Sequence, residues 1–276
     1  MRRGMRKRTL LLLAVLLLVG GLALHEDSRQ TIRLWLGYLT QMITRETLHL
    51  PYNAPLPAEK WQAMSPAARL SDVRSRLLPR LKEDLAAKQL QLGQPAFIRI
   101  FKETRELELW LKDATNSWKL FRNYPIATFS GTLGPKTREG DMQAPEGFYT
   151  VTPKQLNPAS SYHLSFNIGY PNAYDLAHQR TGSFIMVHGK TVSIGCFAMT
   201  DPLIEEIYLV VEAAVNNASA VPVHIFPFRM TEERMQKAHG SPHLEFWKNL
   251  RPAHAIFEND RRVPQITVEN GVYQAR

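Results

Sequence analysis

Residues 184–201 read FIMVHGKTVSIGCFAMTD, and the punctuation of this stretch decides how the chain is organised. The apolar run at 183–187 (SFIMV) predicts a short buried strand that delivers His188 at its end. Gly189 permits a turn directly after the histidine, and Gly195 removes a side chain beside Cys196. Asp201-Pro202 then starts a helix, and Leu203, Ile207, Val210, Val211 and Ala214 follow at helical spacing as its buried face. A strand, a His-Gly turn, a Ser-x-Gly-Cys segment and a capped helix are thus packed into one short stretch.

The residue types in that stretch suit nucleophilic catalysis. The reactive form of cysteine is the thiolate, and a free thiol with a pKa of about 8.5 is mostly protonated at neutral pH. A neighbouring imidazole accepts that proton and later returns it to a leaving amine. A strand ending at His188 and a loop folding back through residues 190–194 would set His188 beside Cys196. The amides of Gly195 and Cys196 are candidate oxyanion donors, a role worth about 2.7–4 kcal/mol per donor. Ser193 is placed to orient either the loop or the imidazole. Each piece alone has an ordinary structural reading; the combination points to Cys196 as nucleophile and His188 as base.

The compartment strengthens this reading. Arg2, Arg3, Arg6, Lys7 and Arg8 precede residues 9–24, an uncharged, leucine-dominated stretch, which is the layout of a secretory leader. Residues 1–24 are expected to be a signal peptide or an uncleaved signal anchor at the inner membrane, and the product is expected in the periplasm. Those five basic residues account for over half of the net charge of +9. The remainder shows no basic stripe interleaved with aromatics, so no nucleic-acid partner is expected. Exported proteins pair or avoid their cysteines, yet this chain of 276 residues keeps a single one. Taken alone, a buried core thiol and a reactive thiol are equally good readings of it.

Around the motif the chain divides into four parts. Residues 25–93 form a helical membrane-proximal segment and linker: an amphipathic stretch at 28–50, a proline-rich linker at 51–57, and a helix after Ser65-Pro66. Leu70, Val73, Leu77, Leu81 and Leu85 mark that helix's buried face, and Pro79 is expected to kink or split it. Residues 94–228 read as a mostly β catalytic domain with short helices. Its strands are expected at 97–101 (FIRIF), 107–111 (LELWL), 148–151 and 221–226, with 118–129 continuing a meander. Residues 229–276 form a C-terminal extension.

His188-Gly189 followed by Ser193-Ile194-Gly195-Cys196 resembles the signature of the YkuD-type L,D-transpeptidase catalytic domain, which acts on bacterial peptidoglycan. The segments GPKTREGDMQAPEGFYTV, NIGYPNAYDLAH, MVHGKTVSIGCFAMTD and IFPFRMT are similar to the YafK branch of that family. The resemblance implies a β-sandwich-like fold and a thioester acyl-enzyme. Cys196 would attack the carbonyl at the L-centre of meso-diaminopimelate, with His188 as base and no cofactor. Peptidoglycan stem peptides are then the implied partners. The short connection from His188 to Ser193, and Ala198 where an arginine is usual, set the chain apart from ordinary D-Ala-displacing members. The YafK branch implies a hydrolytic variant that releases lipoprotein from peptidoglycan; cross-linking or removal of D-Ala is the alternative.

Tyr162, His163, Tyr170, Asn172, Tyr174 and Asp175 form an aromatic and polar region that suits a substrate groove and equally suits turn and packing roles. Lys136 and Arg138 are expected to be solvated loop charges, with peptide carboxylates as the alternative partner. Arg229 is expected to hold the C-terminal extension. His239 and His243 have a metal-like spacing but no completing carboxylate, so no metal site is expected. A wall-binding scaffold would need neither His188 nor Cys196, and a thiol oxidoreductase would need a Cys-x-x-Cys pair.

Overall fold

The computed structural model describes residues 58–218 and 220–276, so the expected leader, the amphipathic stretch and the proline-rich linker lie outside the described residues. Helix α1 (Ala58–Ala63) and helix α2 (Pro66–Ala86) come first. The Ser65 hydroxyl accepts from the Ala68 amide and caps α2, and Val73, Leu77, Leu81 and Leu85 are its buried stripe. Pro79 does not split α2, which continues as one helix to Ala86. Three of the four buried residues, Leu77, Leu81 and Leu85, straddle or follow the proline, and their packing outweighs one missing amide donor.

Two five-stranded sheets carry the rest. The first has the order β3-β2-β1-β10-β5, from β1 (Ala96–Phe101), β2 (Glu106–Lys112), β3 (Trp118–Pro125), β5 (Gly147–Val151) and β10 (Val221–Phe226). Strand β1 is buried along its whole length because it is central and covered on both faces. It pairs antiparallel with β2 and parallel with β10. The expected meander holds for three strands only. Thr128–Phe129 leaves it to become β4, the edge of the second sheet. That sheet runs β4-β9-β8-β7-β6, with β6 (Leu156–Asn157), β7 (Ser165–Asn167), β8 (Met186–His188) and β9 (Phe197–Ala198).

The architecture is the β-sheet domain that the sequence predicts, with some helices longer than expected. Helix α4 (Asp201–Ala218) follows the short α3 (Ala173–Ala177) and lies against β1 and β10 of one sheet and β7 and β8 of the other. It buries Leu203, Ile207, Val210, Val211 and Ala214, as its spacing predicts. After α5 (Glu232–Gln236), helix α6 (Leu244–Asp260) and the hairpin of β11 (Ile266–Glu269) and β12 (Val272–Ala275) complete the chain. Trp247, Leu250, Ala253 and Tyr273 share one cluster with Phe101, Phe148, Phe226 and Phe228, so these last elements pack into the first sheet's core.

Buried charge pairs reinforce that packing. Arg99 on β1 is in register with Glu108 on β2 and meets it at 2.6 Å, and it also reaches Glu258 on α6 at 2.6 Å. Arg229, the first residue of the C-terminal extension, bonds Glu106 and Glu108 and so ties the start of that extension to β2. Lys102 and Glu146 are fully buried and 2.9 Å apart. Lys102 also donates to the Gly134 and Ala144 carbonyls, while Glu146 accepts from the Gly134 amide and from the Trp247 indole. Both ends of the loop at 134–147 are thereby tied to β1 and α6.

Candidate active site

Strands β8 and β9 are parallel, with Val187 opposite Phe197 and His188 opposite Ala198. Side chains two residues apart share a face. Cys196, two residues before Ala198, therefore stands on the same face as His188, one diagonal step along the sheet. Both line an open cleft of about 730 Å³, together with Lys136, Tyr162, Phe184 and Ser193. The expected strand at 183–187 is shorter and shifted: it covers Met186–His188, and Phe184 stands 70% exposed at the cleft rim. Phe184 takes a positive φ of 54°, which turns it out of the sheet.

The backbone holds each group. His188 Nδ1 lies 2.6 Å from the Gly189 carbonyl, which accepts the ring proton and leaves Nε2 as the basic nitrogen. Burial pushes the His188 pKa down from 6.5, while that carbonyl and the Asp201 charge oppose the shift. The Cys196 sulfur accepts from the Met186 amide at 3.4 Å and points its proton at the Phe184 carbonyl, 3.7 Å away. Burial pushes the thiol pKa up; the Met186 amide and the Lys136 charge pull the other way. Burial thus favours the neutral form of both groups. Among the described residues the thiol's hydrogen-bond partners are these two backbone groups and not His188. Catalytic hydrogen bonds commonly tighten only with substrate.

The other motif residues have specific tasks. Gly189 is needed for close approach rather than for a turn, since a Cβ there would sit 2.6 Å from Asp201 Oδ1 and 2.8 Å from the Tyr162 carbonyl. The turn itself falls on Lys190, at φ 56°, whose amide donates to Asp201 Oδ1. Ser193 orients the loop and not the imidazole: its hydroxyl donates to the Cys196 carbonyl at 2.7 Å and accepts from the Gly195 amide at 3.1 Å. The Gly195 amide is thus engaged, which leaves the Cys196 amide as the candidate oxyanion donor of the two. Gly195, at φ 135°, takes a conformation that side chains rarely adopt.

Of the suggested groove residues, Tyr162 alone lies in this cleft, its ring 4.8 Å from that of His188. Tyr170, Asn172, Tyr174 and Asp175 do not, because packing elsewhere consumes them. Tyr170 is buried and bonds the Lys136 and Thr181 carbonyls. Asn172 caps α3, Tyr174 stacks on Tyr273 at 4.2 Å, and buried Asp175 holds Arg180 and Tyr149. His163 stacks on Trp61 and bonds Glu205. Sequence reasoning missed Asp201, read only as a helix start, and preferred a solvated charge for Lys136, which is in fact buried. Helix-cap and loop-charge patterns hide both, since their partners arrive from other turns.

Residues 95–225 match the family model of the L,D-transpeptidase catalytic domain, YkuD. The chain is 46% identical over 187 residues to the putative L,D-transpeptidase YafK of Escherichia coli K12, covering 67% of this chain and 76% of that protein. The same values hold for its counterpart in Escherichia coli O157:H7. Among solved structures, it is similar to the helical cell shape determining protein Pgp2 of Campylobacter jejuni (K307A mutant) at 19% identity and a TM-score of 0.42. That match covers 74% of this chain and 66%, just under two thirds, of the other. Bd1075 of Bdellovibrio bacteriovorus is similar at 18% identity and a TM-score of 0.36, over 64% of this chain and 78% of the other. The sequence relatives and the family model agree, and this chain belongs to the L,D-transpeptidase family with a YkuD catalytic domain.

Proposed function

We propose that this chain is an exported cysteine enzyme that forms a thioester at the L-centre of meso-diaminopimelate and hydrolyses the lipoprotein–peptidoglycan link. The observation that carries the reading is the placement of Cys196 and His188 on one face of the β8–β9 pair, at one cleft. Substrate displaces the thiol from the Phe184 carbonyl, and His188 Nε2 takes the thiol proton as sulfur attacks the peptide carbonyl. The negative charge that develops on oxygen is met by the Cys196 amide. Collapse of the tetrahedral species breaks the C–N bond, and the imidazolium gives its proton to the departing amine. Water, deprotonated by the same imidazole, then cleaves the thioester, releasing a carboxylate and the free thiol.

The motifs that resemble the YafK branch motivate the hydrolytic reading, and one feature of the site favours water over an amine acceptor. Ala198, where an arginine is usual, is fully buried in β9 opposite His188, so no charged side chain reaches the cleft from that position. Stem peptides are the substrates in this reading, and the leader at residues 9–24 delivers the enzyme to them, cleaved or as an inner-membrane anchor.

Product masses test it. Purified protein is incubated separately with lipoprotein-linked muropeptides and with tetrapeptide muropeptides. Release of lipoprotein with uptake of one water is the expected result. Cross-linked dimers would contradict the hydrolytic reading, loss of D-Ala without lipoprotein release would contradict the choice of substrate, and no product from either substrate would contradict the catalytic reading.

A further inference from the structure

Among the described residues that line the cleft, Lys136 is the buried charged side chain, and its surroundings are built around it. It is 3% exposed. Its ammonium donates to the Arg138 carbonyl at 2.9 Å and to Asp141 Oδ1 at 2.6 Å. Asp141 is itself spread over three backbone amides, those of Thr137, Arg138 and Gln143, which fixes the loop and disperses its charge. An ammonium has three donors, so one remains. Gly182 closes over the side chain, with no room for a Cβ, which would lie 2.8 Å from Lys136 Cε. The loop is anchored at both ends by the buried Lys102–Glu146 pair. A cation held this rigidly beside a nucleophile, behind a rim with exposed Phe184 and Ile194, is prepared for an anion that arrives with the substrate.

Glu139 lies on the same loop and lines the same cleft, and its carboxylate accepts from the Ser183 hydroxyl at 3.2 Å. A fixed ammonium and a carboxylate on one loop complement a ligand carrying the opposite pair. Resting on the acyl-donor reading above, we propose that Lys136 and Glu139 form a specificity site for the zwitterionic D-centre of diaminopimelate. Lys136 takes its carboxylate and Glu139 its amine. A diaminopimelate residue presents this amino-acid head at the far end of its side chain, whatever amine is attached to the L-centre. The site would therefore select the donor without dictating the leaving group. The other carboxylate within reach is that of a C-terminal D-Ala, and the two sources are separable.

The test compares wild type, Lys136→Met, Lys136→Arg and Glu139→Gln, each checked for folding by thermal melting. Four donors are used: the diaminopimelate peptide, its D-centre amide, its lysine counterpart lacking that carboxylate, and a D-Ala amide. Lys136→Met is expected to lower kcat/KM roughly 10- to 100-fold on the diaminopimelate donor and less than about 2-fold on the D-centre amide and lysine donors. Lys136→Arg, which keeps the charge, should recover part of the loss, and Glu139→Gln should show a smaller loss on the same donor. A Lys136→Met effect that disappears only with the D-Ala amide would overturn the assignment in favour of the terminal carboxylate. Equal losses on all donors, with slower alkylation of Cys196 by iodoacetamide, would overturn it by making Lys136 a group that acts on the thiolate. Failure of wild type to process any donor would defeat the acyl-donor reading itself, a different result from turnover without discrimination.

Discussion

The first sheet with its buried ion pairs and the cleft at β8–β9 use polar groups in opposite ways. Around β1, every charge has its partner in place: Arg99 with Glu108 and Glu258, and Lys102 with Glu146. Strands there run five to eight residues, and the aromatic rings of Phe97, Trp110 and Phe257 pack over them. At the cleft the strands are two or three residues long, and the backbone takes positive φ at Phe184, Lys190, Gly195 and Thr200. Burial favours the neutral form of both its thiol and its imidazole, and the thiol bonds the Met186 amide and the Phe184 carbonyl. In the first region the polar groups are paired with one another; in the second, on the proposed function, they are arranged for a substrate. Stability and reactivity are therefore expected to respond to different residues.

The largest break in that contrast is Lys102→Met. It leaves the Glu146 carboxylate buried without its cation, and unfolding experiments should show a loss of about 3–5 kcal/mol. Because the same pair anchors the loop that carries Lys136, activity should fall too. A loss under about 1 kcal/mol would mean that the pair is not what holds the loop.

Ser193→Ala should produce the converse. It removes the two hydrogen bonds that set the nucleophile loop, and a misplacement of about 1 Å can cost 10²-fold in rate. The expected result is a fall in kcat of roughly 10- to 100-fold, with a change in unfolding free energy within about 1–2 kcal/mol. Unchanged turnover would show that the loop keeps its geometry without the hydroxyl.

The pH profile is the subtlest difference. His188 acts as base only when neutral, and burial disfavours its charged form, so its folded pKa lies below 6.5. The acid limb of kcat/KM should then have its midpoint below 6.5, activity falling as pH drops through it. Stability follows the same sign. A histidine with a depressed folded pKa contributes no penalty above 6.5 and an increasing one below it, since the unfolded chain binds the proton more readily. His224, pushed down to about 3, and His254, pushed down to about 4, both carry this sign, so His224→Leu should reduce the slope without abolishing it. An acid limb centred above 6.5 would mean that the Asp201 and Gly189 contributions outweigh burial.

This division also explains what could be read from sequence. Strands β1, β2 and β10 and helices α2 and α4 carry long periodic patterns, and each was legible at Phe97, Leu109, Val223, Leu77 and Ile207. The second sheet was nearly invisible, because strands as short as Thr128–Phe129 or Phe197–Ala198 hold too few residues for alternation to register. At the cleft, His188, Ser193, Gly195 and Cys196 announced themselves by residue type and spacing. The polar run from Tyr170 to Asp175 had the same look, yet Tyr273 and Tyr149 claim it from distant parts of the chain. Lys136 was misread for the same reason: its burial depends on Gly182 and Tyr170, which no local pattern reveals.

The central claim is that Cys196 carries the acyl group, and intact-protein mass spectrometry tests it most directly. Wild type incubated with a diaminopimelate-containing donor, or with a carbapenem as a slow acylating analogue, and quenched in acid should gain the mass of the acyl fragment. Peptide mapping should place that mass on Cys196, and Cys196→Ala, with an unchanged melting temperature, should gain nothing and turn over nothing. An adduct on another residue, or turnover by Cys196→Ala at the wild-type rate, would contradict it.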